Sequence, residues 1–269
     1  MKQEPIGIWD SGLGGLTVVR EIRRRLPGEK LIYFGDTARV PYGIKGRDTV
    51  RRFARENTAF LVEQGVKALV VACNTASSLA LDLLREEFSL PILGVIEPGA
   101  RAAAEGTKNG IVGVIGTPAT VDSAAYTAAL KALRGGLSVS SRACPLFVPL
   151  VEEGWLDHPA TRLVAREYLS PLMEAGVDTL VLGCTHYPLL QPLLQELMGE
   201  GVRLVDSAEE LAGELSELLG SGELETSDSE QGSLEVFVSD LPLRFRQIGE
   251  SFLGESIENL TLLDRKEER

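Results

Sequence analysis

Two cysteines stand where side chains most readily do chemistry. Cys73 closes the apolar run Ala68–Ala72 and is followed by Asn74, Thr75 and Ser77, while Cys184 follows Thr179–Leu182 and Gly183 and leads into Thr185 and His186. A thiol and its thiolate lie close in free energy near neutral pH once a site perturbs them, so a cysteine can both take and give a proton. Two such groups facing each other would invert a carbon stereocentre: one removes a proton from one face, and the other delivers a proton to the opposite face. Either cysteine alone reads as a small hydrophobe ending a buried strand. The pair reads differently, because Glu63-Gln-Gly-Val-Lys-Ala-Leu-Val-Val-Ala-Cys73-Asn-Thr lines up with Glu174-Ala-Gly-Val-Asp-Thr-Leu-Val-Leu-Gly-Cys184-Thr-His. Each cysteine is expected to precede a helix start, whose orphan amides can bind a carboxylate and whose positive end lowers a neighbouring thiol from its usual ~8.5. Cys144 precedes Pro145 without polar neighbours and is expected to be inert.

In parallel α/β folds, ligands bind outside the carboxyl ends of the strands. The candidates are therefore the residues directly after strand-like runs: Asp10-Ser11, Asp36, Cys73-Asn74-Thr75, Thr117 and Cys184-Thr185-His186. Strands are predicted at Ile6–Trp9, Leu31–Phe34, Ala68–Ala72, Ile92–Ile96, Ile111–Ile115, Leu137–Ser141, Thr179–Leu182, Arg203–Val205 and Leu234–Val238. Helices are predicted at Leu16–Arg25, Ser77–Glu87, Val121–Leu133, Thr161–Glu174 and Ala208–Leu219. A further amphipathic helix carries Val50, Phe53, Ala54, Phe60 and Leu61 on one face and Arg51, Arg52, Arg55 and Glu56 on the other. This alternation implies α/β architecture with mostly parallel sheets. The repeat extends weakly, with Ile6-Gly-Ile-Trp-Asp10-Ser11 resembling Val112-Gly-Val-Ile-Gly116-Thr117 and Leu93–Glu97 resembling Arg203–Asp206. Two pseudo-symmetric α/β domains are expected, one of residues 1–97 plus 207–269 and the other of residues 98–206. A pseudo-twofold axis would set Cys73 and Cys184 across the cleft between them.

The 269 residues, 44% hydrophobic and 25% charged, have an ordinary globular composition, and no run approaches the ~18 apolar residues of a membrane span. The formal net charge of −12 argues against a nucleic-acid partner while permitting a small anion held by backbone amides. Eleven acidic residues and no basic one lie between Arg203 and Arg244, including the Gly220–Gly232 stretch, and read as a solvated helix face and loop. Three cysteines without C-x-x-C spacing and two histidines make a metal site unexpected. Met1–Pro5 leaves no room for a signal sequence before the first strand, so a cytoplasmic protein is expected. Gly12-Leu13-Gly14 after a strand, with Asp36 ending the next, offers a nucleotide-binding module as an alternative class. That fingerprint breaks at Thr17, where its last glycine belongs, and the turn is instead expected to bring backbone close to a small ligand.

Over nearly its whole length the chain resembles the glutamate racemases of the cofactor-independent aspartate/glutamate racemase superfamily. The matching segments are Ile8-Trp9-Asp10-Ser11-Gly12-Leu13-Gly14-Gly15, Val40-Pro41-Tyr42-Gly43, Ala72-Cys73-Asn74-Thr75-Ala76, Gly94-Val95-Ile96-Glu97-Pro98-Gly99, Gly183-Cys184-Thr185-His186-Tyr187-Pro188-Leu189-Leu190 and Val238-Ser239-Asp240. Trp9 departs from the Phe more usual at its position. The resemblance implies interconversion of L- and D-glutamate, supplying D-glutamate for bacterial peptidoglycan, without cofactor or metal; racemisation of another acidic amino acid such as aspartate is the enzymatic alternative. It implies that Cys73 acts on the D-enantiomer and Cys184 on the L-enantiomer, with Asp10 and His186 as polar assistants and Asp36 and Glu152 as further acidic participants. Substrate contacts are implied for Asp10, Ser11, Pro41, Tyr42, Gly43, Asn74, Thr75, Thr117, Thr185 and His186. The family expectation is a homodimer. Because the first strand begins at Ile6, activation by a peptidoglycan precursor, known in extended members, is not expected.

Overall fold

Apolar runs with no polar alternation need cover on both faces, and this chain supplies it by following strands with helices. In the computed structural model, which describes residues 2–222, 224–226 and 231–263, the first such series is β1 (Ile6–Asp10), α1 (Leu16–Arg25), β2 (Leu31–Gly35), α2 (Arg47–Glu63), β3 (Ala68–Val71), α3 (Asn74–Glu87) and β4 (Ile92–Gly94). Helix α4 (Ile96–Gly106) leads to a second series: β5 (Ile111–Gly116), α5 (Pro118–Asp122), α6 (Ala125–Leu133), β6 (Ser138–Ala143), α7 (Phe147–Glu152), α8 (Pro159–Glu174), β7 (Thr179–Gly183), α9 (Gln191–Met198) and β8 (Arg203–Asp206). The chain then returns through α10 (Ser207–Ser221) to β9 (Leu234–Val238), α11 (Pro242–Leu253) and β10 (Leu260–Leu262).

One sheet has the order β10-β9-β2-β1-β3-β4 and the other β6-β5-β7-β8, and every pairing among the described residues is parallel. The orders β2-β1-β3-β4 and β6-β5-β7-β8 are the same, so the repeat in sequence is a repeat of topology. Strands β3 and β7, which lead to Cys73 and Cys184, occupy equivalent places. The protein is thus built from two pseudo-symmetric α/β units with parallel sheets. Helix α2 buries Val50, Phe53, Ala54 and Leu61 and turns its arginines outward, as its periodicity requires. Helix α10 buries Ala208, Leu211, Ala212, Leu215 and Leu219, while its acids Glu209, Glu210 and Glu214 pair with Arg24, Arg203 and Arg101. Part of the acidic run, Glu223 and residues 227–230, lies outside the described residues. No described helix is long and apolar enough to cross a membrane.

Several expected boundaries shift. The strand expected over Ile92–Ile96 stops at Gly94, because Val95 already has helical dihedrals and Pro98 suits the first turn of α4. The single helix expected over Val121–Leu133 begins earlier, capped at Thr117, and breaks into α5 and α6 at Ala124, whose φ of 56° is left-handed. Helix α3 starts at Asn74 rather than Ser77, so Cys73 itself is the N-cap residue. Cys184 is followed not by an α-helix but by a 3₁₀ turn, Tyr187–Leu190, before α9 begins.

Candidate active site

The carboxyl ends of both sheets open onto one cavity of about 390 Å³. Its wall includes Ser11 after β1, Cys73, Asn74 and Thr75 after β3, Thr117 after β5, and Cys184, Thr185 and His186 after β7. The loop Pro41-Tyr42-Gly43 closes another side, and Glu152 reaches in from the end of α7. Parallel pairing is the reason: it points every strand of a sheet the same way, so residues distant in sequence emerge along one edge.

Of the residues singled out in the sequence, Asp10 and Asp36 do not line this cavity. Asp36 is fully buried behind Tyr42, accepting hydrogen bonds from the Tyr42 hydroxyl, from Arg39 Nε at 2.7 Å and from Ser239 Oγ at 3.0 Å. Asp10 is buried beneath the β1–α1 turn, where its Oδ1 accepts the Gly12 amide at 2.9 Å. Burial raises the Asp10 carboxyl above its ordinary range against the opposing pull of His186 and the turn amides.

Cys73 Sγ lies 3.6 Å from Ser11 Oγ. Its thiol is pushed up to about 12, first by burial and then by the neighbouring Asp10 carboxylate. This corrects the expectation that a helix start would lower it: desolvation and a like charge outweigh the helix end. The other thiol has a different neighbourhood. Cys184 Sγ lies 3.8 Å from His186 Nδ1, and His186 Nε2 lies 3.0 Å from Glu152 Oε1. Burial works to lower the His186 pKa, but hydrogen bonds and charge from Cys184 and Glu152 prevail and raise it to about 10.

That shift has a pH signature. A group held at about 10 in the fold and at its ordinary 6.5 when unfolded contributes stability fully below pH 6.5, and loses it as pH rises toward 10. Glu152→Gln removes one of the groups that raise it. Urea unfolding is expected to show a larger stability gap between wild type and Glu152→Gln near pH 6 than at about pH 9.5. A gap that stays constant or widens with pH would contradict the coupling.

Within the glycine-rich turn after β1, Gly12 lines the cavity, while Gly14 serves a purpose that the sequence did not indicate. A Cβ on Gly14 would fall 2.3 Å from Thr185 Oγ1 and 2.6 Å from His186 Nδ1, so this backbone approaches side chains of the opposite unit rather than a ligand. Gly12 alone of that turn's glycines reaches the cavity wall. Sequence reasoning missed the apolar wall formed by Val40, Ile44, Pro118, Pro145, Val148 and Pro149. A signal for part of it existed, since Pro145, Val148, Pro149 and Glu152 recur at the spacing of one helix face. The arrangement presents two thiols, a charged imidazole and several hydroxyl and amide groups around a space for a small polar molecule.

Comparison with known proteins agrees with this geometry. The family model for Asp/Glu/hydantoin racemases matches residues 14–215. A glutamate racemase from Geobacter metallireducens is 58% identical over 254 residues, which are 94% of each chain. Among solved structures, glutamate racemase isoform RacE1 from Bacillus anthracis superposes with a TM-score of 0.95 at 42% identity, covering 98% of this chain and 99% of that one. Glutamate racemase from Francisella tularensis, solved in complex with D-glutamate, gives 0.92 at 38% identity over 98% of each chain. With its family model matched over most of its length and relatives this similar end to end, the chain belongs to the Asp/Glu/hydantoin racemase family.

Proposed function

We propose that this protein interconverts L- and D-glutamate in the cleft between its two units, using Cys73 and Cys184 as opposed acid/base groups and no cofactor. The observation that carries the reading is that both thiols, from equivalent positions after β3 and β7, line one cavity. In the L-to-D direction the Cys184 thiolate takes the α-proton and the Cys73 thiol delivers its own proton to the opposite face. Cys184 ends as thiol and Cys73 as thiolate; the D-to-L direction reverses both transfers, Cys73 acting on the D-enantiomer. His186, positively charged and 3.8 Å from the Cys184 sulfur, offsets negative charge there, and Glu152 holds the ring in place. Asp10, beside Cys73, tunes that thiol from behind the wall. Asp36 is a positioning residue in this scheme, anchoring Tyr42 rather than touching substrate.

Substrate is held by Ser11, the Pro41-Tyr42-Gly43 loop, Asn74, Thr75, Thr117, Thr185 and His186, all on the cavity wall. Glutamate is favoured over aspartate because relatives up to 58% identical are named glutamate racemases. We place the enzyme in the bacterial cytoplasm as a homodimer supplying D-glutamate for peptidoglycan. We divide the chain at the crossings between the sheets, with residues 1–97 and 207–269 in one domain and 98–206 in the other. Circular dichroism of L-glutamate incubated with the purified protein and no added cofactor is expected to decay to zero. A signal that stays constant with glutamate but decays with L-aspartate would replace the substrate.

A further inference from the structure

Tyr126 stands where the two units join. It lies in the first turn of α6, is 2% exposed, and donates its hydroxyl to Asn74 Oδ1 at 2.7 Å, across the boundary in the first turn of α3. Its ring is wedged between two glycines: a Cβ on Gly183, next to Cys184, would come 3.1 Å from the ring, and one on Gly99 would come 3.4 Å from it. The Ser207 side chain also lies beside the phenol, at the first residue of α10, where the chain crosses back toward the first sheet.

An amide side chain has two ends of opposite character, an accepting oxygen and a donating nitrogen. The phenol proton goes to Asn74, and that bond occupies the amide oxygen. What remains is Asn74 Nδ2, buried on a residue that lines the cavity and without a hydrogen-bond partner among the described residues. An unpaired buried donor is costly unless a ligand satisfies it, and a carboxylate is the acceptor that does so most strongly. Were the amide free to turn, its oxygen would face that carboxylate instead.

We propose that Tyr126 is a positioning residue for substrate binding, holding the donor end of Asn74 toward a substrate carboxylate from the opposite unit. The inference rests on the reading of the cavity as a glutamate site. It makes the binding site a joint product of both units: the donor belongs to one and its orientation to the other.

Steady-state kinetics of Tyr126→Phe test this, because the variant keeps the ring between its glycines and removes only the hydroxyl. KM for L- and D-glutamate is expected to rise about five- to tenfold, with kcat within about twofold and a melting temperature lowered by only a few degrees. In an Asn74→Ala background, Tyr126→Phe is expected to add nothing further, as it must if it acts through that amide. Ser207→Ala, which leaves the phenol but removes the hydroxyl beside it, is expected to raise KM about two- to threefold. An unchanged KM in Tyr126→Phe, or in Ser207→Ala should Tyr126→Phe fail to fold, would overturn the proposal. So would an equal rise in the Asn74→Ala background. Wild-type protein that fails to racemise glutamate sinks the functional reading itself; racemisation with unaltered KM in the variants sinks only the role of Tyr126.

Discussion

Cys73→Ser and Cys184→Ser are each expected to slow racemisation of glutamate by about a thousandfold or more, whereas Cys144→Ser leaves turnover intact. An alcohol is a far weaker acid than a thiol, so near neutral pH a serine supplies neither an alkoxide to remove the α-proton nor a proton for the opposite face. Cys144 differs by position: it is fully buried, its thiol donates to the Arg142 carbonyl at 3.6 Å, and it is not part of the cavity wall. In D2O, a single turnover is expected to place deuterium at the α-carbon of the product enantiomer while recovered substrate remains unlabelled. That asymmetry follows from two groups that do not share a proton. Original hydrogen appearing in the product would mean a single base, and near-wild-type turnover by either serine variant, with contaminating racemase excluded, would falsify the two-thiol assignment.

The largest stability effect is expected far from the cavity. Lys67, just before β3, pairs with Glu29 Oε2 at 2.5 Å, and their side chains are 1% and 2% exposed. Lys67 Nζ also donates to the carbonyls of Lys2 and Leu224 at 2.8 Å, while Glu29 Oε1 accepts the Thr226 amide at 2.8 Å. The pair therefore ties the N-terminal segment and the turn before β2 to the stretch after α10. Removing one member leaves the other charge buried and uncompensated, so Lys67→Met is expected to lower unfolding free energy by about 3–5 kcal/mol. At a few degrees per kcal/mol for a chain of this size, the melting temperature falls by about 10 °C. Replacing both members by apolar residues is expected to recover part of the loss. Arg85→Ala, which breaks the half-exposed pair with Glu97, serves as the contrast at about 1 kcal/mol or less. Urea unfolding measures all three, and a Lys67→Met loss no larger than that of Arg85→Ala would show that solvent reaches the pair.

Much of the architecture was legible from the residues. β-branched runs between helix-period segments specify a parallel α/β fold because only that arrangement covers both faces of such strands. The match around Cys73 and Cys184 foretold two units of one topology, since equal spacing of apolar runs produces equal strand order. Helices α4, α7 and α11 and strand β10 were not among the expected elements, and Pro98 is accommodated in α4 because a proline in a first helical turn costs little. The break at Ala124 left no mark, because a left-handed alanine is imposed by its surroundings and not by its type.

For the candidate site, residue types and motif spacing identified which side chains matter, and the tertiary structure decided how each is set. Cys73 and Cys184 follow equivalent strands, yet one thiol is buried beside the Asp10 carboxylate and the other faces a protonated His186. Glu152 reaches His186, and Tyr126 reaches Asn74, from positions that no local pattern connects to them. The physical reason is one of range. Propensity and periodicity act over a few residues and are written in the chain, whereas desolvation, charge proximity and the orientation of a buried amide depend on what folding brings within a few ångströms.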